Sequence, residues 1–179
     1  MKMIRTAARA IILGCMLFAL GAAHAQSPDV MALARTLGGA HPAAYYKAAA
    51  GLLAKGQRDD AVFVFYLGQL RYRTHLAARR SQMKPDADPA AFSALSETVG
   101  RPLNEYAFGD IPRFLTTLDA VLAFDTANPD RFTPPGQFGA AHKTVRDGLV
   151  KMRAQVAAQA DQIREQRRRN GLENRNPGR

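Results

Sequence analysis

The sequence has little of what disulfide frameworks, metal centres and catalytic centres are built from. Its one cysteine is Cys15, so a disulfide within the chain and a cysteine-based zinc site are both excluded. It contains no glycine-rich phosphate loop, no GxSxG elbow and no HxxxH or HExxH pair. We therefore expect neither a cofactor nor a metal ion, and a fold that is held together by its hydrophobic core alone.

Strand patterns are also missing. Strict alternation of polar and apolar residues, which is typical of a half-buried strand, does not occur over any long stretch. Alanine, the strongest intrinsic helix former, is abundant instead. The predicted fold class is therefore all-α, a compact bundle of five or six helices.

Residues 1–25 have the three parts of an export signal. Residues 11–20 are mostly apolar, and Ala23-His24-Ala25 has the small-x-small form of a cleavage site. The apolar stretch is too short to serve well as a membrane-spanning helix. The basic start of the segment comprises Lys2, Arg5 and Arg9. We therefore expect cleavage before Gln26 and a periplasmic location.

A lipoprotein signal is the alternative interpretation of the same segment. Ile12-Leu13-Gly14-Cys15 resembles a lipobox, but a lipobox closes the apolar stretch, and here most of the stretch follows Cys15. We therefore expect no lipid anchor. Cleavage leaves 154 residues and lowers the formal net charge from +10 to +7. This length suits a single helical domain over residues 26–170, followed by a flexible polar tail at 171–179.

Capping and stop signals predict two short helices at the start of the mature chain. The first follows Ser27, has Pro28 in its first turn and ends at Gly38-Gly39. The second begins at Pro42 and ends before Gly56, because glycine suits the left-handed conformation of a helix stop.

Residues 59–80 are predicted to form the central helix. Residues 61–67 are apolar on every side, which is typical of a helix surrounded by partners. That run alone would also allow a buried strand, but the flanking pattern is helical. We expect the core to centre on residues 61–70.

Three further helices are predicted towards the end of the chain. Asp88 caps the fourth, which Gly100-Arg101-Pro102 should interrupt or kink because proline removes an amide donor. Asp110 caps the fifth. A proline-rich loop at residues 128–137 then leads to the last helix, at about residues 140–169.

The second and third helices carry the pattern of a paired-helix repeat. Small residues and aromatics recur at the spacing that lets two antiparallel helices approach closely. The residues concerned are Tyr45, Ala48, Ala49, Leu52, Gly56, Ala61, Phe65 and Gly68. This segment resembles one tetratricopeptide or Sel1-type helix pair, which implies a helical hairpin. The rest of the chain resembles exported bacterial proteins of no assigned activity.

A hairpin that packs as this repeat does would present a groove. Ala43, Tyr46, Ala50 and Leu53 would face it, and Tyr46 would offer its one polar contact. The alternative is that these positions pack against the first or the last helix.

Two clusters of basic residues end the two longest predicted helices. They comprise Arg71, Arg73, Arg79 and Arg80 in the first, and Arg164, Arg167, Arg168 and Arg169 in the second. The helix dipole favours cations there without any partner. Weak contact with an anionic surface is the alternative. Nucleic acid is not expected, because aromatic residues are not interleaved with the basic ones.

Acidic residues near the predicted kink support an alternative function, a cofactor-free hydrolase or lyase acting on envelope material. Glu97, Glu105 and Asp110 stand among apolar residues, where carboxylates can act as acids or bases, and His75 is the histidine to consider with them. Structural roles compete with this hypothesis: Asp110 as an N-cap, Glu105 paired with Arg101, and His75 bonded to a carboxylate or carbonyl at the core edge.

The function that these observations favour is that of an exported, non-enzymatic helical binding protein with a protein partner. Its oligomeric state and the partner's identity are left open. The predicted contact residues are Tyr46, Ala50, Leu53, Arg71, Arg73, Arg167 and Arg168.

Overall fold

The computed structural model describes residues 26–80 and 88–176. The predicted export signal at residues 1–25 lies outside these ranges. All regular structure within them is helical, which confirms the all-α fold class. None of the helices described is both long and apolar enough to cross a membrane. The helices are α1 (Pro28–Thr36), α2 (Ala43–Ala54), α3 (Arg58–Ala78), α4 (Asp88–Leu95), α5 (Arg101–Ala107), α6 (Ile111–Ala127), α7 (Pro135–Ala158) and α8 (Ala160–Arg169), with a 3-10 turn at Leu37–Gly39 and a π-helical turn at Ser96–Gly100.

Local signals set several of the helix ends. The Ser27 hydroxyl accepts a hydrogen bond from the Val30 N–H at 3.2 Å, so Ser27 is the N-cap of α1. Asp110 caps α6 in the same way, accepting from the Arg113 N–H at 3.1 Å. Gly56 follows α2 with φ of 76°, the left-handed conformation that the sequence predicted.

The central helix is α3. Residues 61–68 are all buried, and helices α2, α5, α6 and α7 contact α3 along its length. The strand alternative for residues 61–67 is wrong, because these residues are part of α3. The run is apolar on every side because neighbouring helices pack against it on every side.

Helices α2 and α3 approach most closely at Gly68. A Cβ atom at this position would lie 2.4 Å from the Cβ of Tyr45, a distance that no side chain can occupy without moving the helices apart. The close packing of the two helices, predicted from small residues at helical spacing, therefore depends on this glycine.

The predicted break at Gly100-Arg101-Pro102 is a change of helix type and not an interruption. A π-helical turn at Ser96–Gly100 joins α4 directly to α5, and Pro102 lies in the first turn of α5. The turn brings Gly100 against the Phe65 ring, where an added Cβ would lie 2.8 Å from the Phe65 Cζ.

The last predicted helix is divided in two. A first turn begins at Pro135, but Phe138 has non-helical backbone angles (φ −125°, ψ 32°), so the regular helix starts close to the predicted residue 140. The Gln159 backbone (φ −104°, ψ 15°) separates α7 from α8. Gly171, with φ of 69°, follows the end of α8.

Residues 172–176, which the sequence assigned to a flexible tail, make specific contacts instead. The Arg175 N–H donates to the Gly109 carbonyl at 2.8 Å, and the Arg175 guanidinium lies 3.6 Å from the centroid of the Tyr106 ring. The Asn174 side chain donates to the Arg164 carbonyl at 3.0 Å. These contacts could not be predicted from the polar sequence of the segment, because their partners are far away in the chain.

Candidate functional site

A groove of about 890 Å³ lies between α3, α4 and α7. Along α3 it follows one face from Tyr66 to Ala77, a stripe about 17 Å long at 1.5 Å per residue, and it continues to Arg80 beyond the end of the helix. Helix α7 forms the opposite wall, and α4 contributes Pro89 and Phe92. The larger apolar side chains that line it are Leu70, Leu76, Phe92, Val145, Leu149 and Met152.

Small residues keep this groove open. Ala77 on α3 and Gly148 on α7 line it and are both exposed. A Cβ atom added at Gly148 would meet no other atom within 4 Å. In the part of the chain that the structure describes, no side chain fills the space next to Gly148.

Two exposed arginines, Arg73 and Arg80, stand among the apolar lining. The Arg73 guanidinium lies 5.5 Å from the centroid of the Phe92 ring, a cation–π distance. Neither arginine forms an ion pair with another residue of the described ranges. The groove therefore combines an apolar floor with positive charge that no described carboxylate neutralises.

Arg71, which the sequence grouped with Arg73 as a contact residue, has a structural role instead. It is only 2% exposed. Its Nε donates to Asp125 Oδ1 at 3.2 Å and its Nη2 to the Asn128 carbonyl at 2.6 Å, and the Tyr45 hydroxyl accepts a third bond. Arg71 thus ties α3 to α2 and to the end of α6, and it is not available to a partner.

The groove predicted on the α2–α3 hairpin does not exist around Tyr46. This residue is completely buried, and its ring packs edge-on against Phe65 and Tyr72, with centroids 5.3 and 6.0 Å away. Burial raises the pKa of Tyr46 to about 12. Ala50 and Leu53 are half-buried on α2 and do not line the groove between α3, α4 and α7. The hairpin face is covered because Phe92 of α4 packs against Tyr46.

The second basic cluster is mostly paired within α8. Arg168 and Arg169 both form ion pairs with Glu165. Arg164 pairs with Asp161. Arg167 was predicted to be a contact residue, but it is buried, and its guanidinium donates to the Glu173 carbonyl at 2.8 Å. Desolvation by this burial lowers the pKa of Arg167.

The acids and the histidine of the enzyme hypothesis are not brought together. Glu97 and Glu105 line a different groove, of about 530 Å³, against α8. Asp110 is the N-cap of α6. The sequence predicted a pair between Arg101 and Glu105, but Arg101 pairs with Glu97 instead. His75 contacts a different carboxylate, that of Asp88. Glu97, Glu105, Asp110 and His75 therefore form no shared catalytic cleft.

The carboxylate that His75 contacts belongs to a cluster that the sequence did not predict. His75 Nε2 lies 3.0 Å from Asp88 Oδ2, and His41 Nε2 lies 3.5 Å from Asp88 Oδ1. The three residues come from the loop before α2, from α3 and from the first position of α4. Because no short spacing relates them, a search for local motifs could not find the cluster. The contact does confirm His75 as a core-edge histidine bonded to a carboxylate.

Aromatic rings hold both imidazoles in place. The Phe132 ring lies 5.1 Å from the His41 ring and 5.2 Å from the His75 ring, between centroids. His41 Nδ1 accepts a hydrogen bond from the Ala43 N–H at 3.2 Å, so His41 caps the start of α2. Desolvation lowers the pKa of His41, and nearby Asp88 opposes this shift. His41 therefore favours its neutral form.

The chain matches none of the protein-family models, curated proteins and solved structures with which it was compared. The resemblance of residues 45–68 to a tetratricopeptide or Sel1-type helix pair therefore remains a prediction. What the protein does has to be argued from the geometry of its own surface.

Proposed function

We propose that this is an exported helical binding protein, and that an acidic amphipathic helix of a protein partner binds in the groove between α3, α4 and α7. One observation carries the proposal. The groove is apolar along its length, and it contains two exposed arginines that no described carboxylate pairs with.

The shape of the groove favours a helix as the occupant. The stripe on α3, about 17 Å long, matches about 11 residues of helix. Ala77 and Gly148 leave room on both walls, and small residues are what allow helix axes to approach closely. Adding a strand would require an exposed sheet edge, and the residues described form no sheet.

The charge of the groove favours acidic residues on that helix. Both arginines line the groove, Arg73 on α3 and Arg80 two residues beyond the end of that helix. Acids in different turns of the partner helix would face the two arginines. Exposed ion pairs contribute only about 0.2–1 kcal/mol each, so the apolar contacts would supply most of the affinity and the arginines would select the partner.

A pair of helical peptides tests the proposal. Both have about 14 residues, long enough to span the stripe on α3, and the same apolar face. One carries Glu and the other Lys on the flanking positions. In NMR titrations of the labelled protein, we expect the Glu peptide to shift the amide signals of Leu149, Met152 and Ala77, and the Lys peptide to shift them only at clearly higher concentrations. Equal binding of both peptides, or of neither, would contradict the proposal.

Charge variants separate the groove from general attraction to a basic protein. Replacing Arg73 and Arg80 with Gln should weaken binding of the Glu peptide by about two- to thirtyfold, because two exposed pairs sum to about 0.4–2 kcal/mol. The matched control replaces Arg101 and Arg168, which are also exposed but lie outside the groove. The control should bind the Glu peptide as the parent does.

Export is the second part of the proposal, and it is supported by the signal pattern of residues 1–25. We expect the protein in the soluble periplasmic fraction, with Gln26 as its N-terminal residue. N-terminal sequencing and mass spectrometry check this. An intact Met1, or a lipid on Cys15, would contradict it.

A further inference from the structure

We propose that His41, His75 and Asp88 form a binding site for a divalent transition-metal ion, with Zn²⁺ as the ion that fits best. This inference is independent of the groove and of the partner proposed for it. It rests on the type of the three ligands, on their distances and on the burial of the site.

The chemistry of the three side chains is that of zinc proteins. Imidazole nitrogens and a carboxylate oxygen are ordinary ligands of Zn²⁺, and two histidines with one carboxylate leave a fourth position for water. A hard ion such as Mg²⁺ would prefer a shell of oxygen atoms only. The cluster contains two nitrogens, so it favours a zinc-like ion.

The distances suit a single ion. Two ligand atoms that are each about 2.05 Å from Zn²⁺ lie about 3.3 Å apart in a tetrahedral arrangement. Asp88 Oδ2 is 3.0 Å from His75 Nε2, and the other carboxylate oxygen, Oδ1, is 3.5 Å from His41 Nε2. All three ligand atoms lie within 4.8 Å of one another. The imidazoles would therefore have to approach each other by about 1.5 Å at most.

One side of the cluster is buried and the other faces solvent. The His75 side chain is 5% exposed, whereas those of His41 and Asp88 are 38% and 36% exposed. A metal ion could enter from the His41 side, and water could take the fourth position there. Such a site would also anchor the first residue of α4, the helix that contributes Phe92 to the groove.

Coordination through Nε2 has a specific consequence for each histidine. It places the proton of the neutral imidazole on Nδ1. His75 Nδ1 is buried and has no partner among the described residues, so no existing bond is lost there. His41 Nδ1 now accepts from the Ala43 N–H and would have to release it. Ala43 is in the first turn of α2, where an N–H has no partner within the helix and water can replace the lost bond.

Calorimetric titration with ZnCl₂ tests the site on the full protein, purified without a histidine tag and treated with a chelator. We expect one Zn²⁺ per chain. Replacing His75 with Gln or Asp88 with Asn should weaken binding by at least about tenfold, since even outer-shell changes at metal sites have effects of this size. The matched control is His142→Gln, which removes a histidine that contacts the Thr133 carbonyl outside the cluster. It should bind Zn²⁺ as the parent does.

A second readout distinguishes the site from adventitious surface binding. On addition of Zn²⁺, the amide signal of Ala43 should shift in an NMR spectrum, because the His41 bond is released. His41→Gln should abolish that shift. Because His41 is half-exposed, this variant should fold and can be measured even if the variant at buried His75 does not fold. Binding that none of the three ligand variants weakens, or no binding of Zn²⁺ at all, would overturn the proposal and leave a hydrogen-bonded cluster.

Discussion

The two sides of α3 differ more than its sequence suggests. Towards α2, Gly68 lies against Tyr45, and Arg71 is buried in a network of hydrogen bonds. Towards α7, exposed Arg73 stands beside an apolar groove. Arg71 and Arg73 are separated by one residue, which places them about 200° apart around the helix axis. Arg71 therefore stabilises the fold, whereas Arg73, two positions later, is available at the surface.

The largest expected difference is between core side chains on the two sides. Phe65 is fully buried between α2 and the π-helical turn. Phe65→Ala should therefore lower the free energy of unfolding by about 3–5 kcal/mol. Leu76 is half-buried at the groove, so Leu76→Ala should cost clearly less. Urea unfolding of both variants checks this, and equal losses would mean that the groove side is packed as tightly as the core.

The two arginines provide the next comparison. Arg71→Met leaves the Asp125 carboxylate, which is 11% exposed, without its nearest cation. Loss of one partner of a buried pair costs about 3–5 kcal/mol, and we expect the lower end because Arg146 Nη1 remains 3.9 Å from Asp125 Oδ2. Arg73→Met should change the unfolding free energy by no more than about 0.5 kcal/mol. Equal denaturation midpoints for the two variants would contradict the division of roles.

Two glycines should respond to the same substitution with opposite signs. Gly68→Ala forces a Cβ into the contact with Tyr45 and should cost about 1–3 kcal/mol. Gly51 lies within α2 with open space around it. Gly51→Ala should therefore stabilise the protein by about 0.5–1 kcal/mol, because alanine is the better helix former. Thermal unfolding measures both effects, and a neutral Gly68→Ala would show that the two helices separate easily.

The predictable part of this fold is its local part. Ser27 and Asp110 cap helices because their oxygens reach amides three residues ahead, and Gly56 ends α2 because it adopts a positive φ. These effects depend on a few neighbouring residues. The close approach at Gly68 was also predictable, since small residues recur at helical spacing.

The candidate sites depend on contacts between distant segments and were therefore mostly missed: of the predicted contact residues, Arg73 alone lines the groove. Whether an arginine is buried is decided by its partner, and the partner of Arg71, Asp125, is 54 positions away. The cluster of His41, His75 and Asp88 joins three separate segments. Arg71 and Arg73 were grouped because they are close in sequence, but they lie on different faces of α3 and have different surroundings.

The central claim is that a partner helix binds in the groove between α3, α4 and α7. The most direct test is a peptide titration of a variant in which a side chain fills that groove. Gly148→Leu would place a side chain in the space on α7 that the partner helix is proposed to occupy, and Gly51→Leu would add the same side chain to exposed, open space on α2. Both changes replace a glycine within a helix, so neither should reduce stability. We predict that Gly148→Leu abolishes the NMR shifts caused by the Glu peptide, whereas Gly51→Leu leaves them unchanged. A Gly148→Leu protein that binds the peptide as the parent does would contradict the proposed role of the groove.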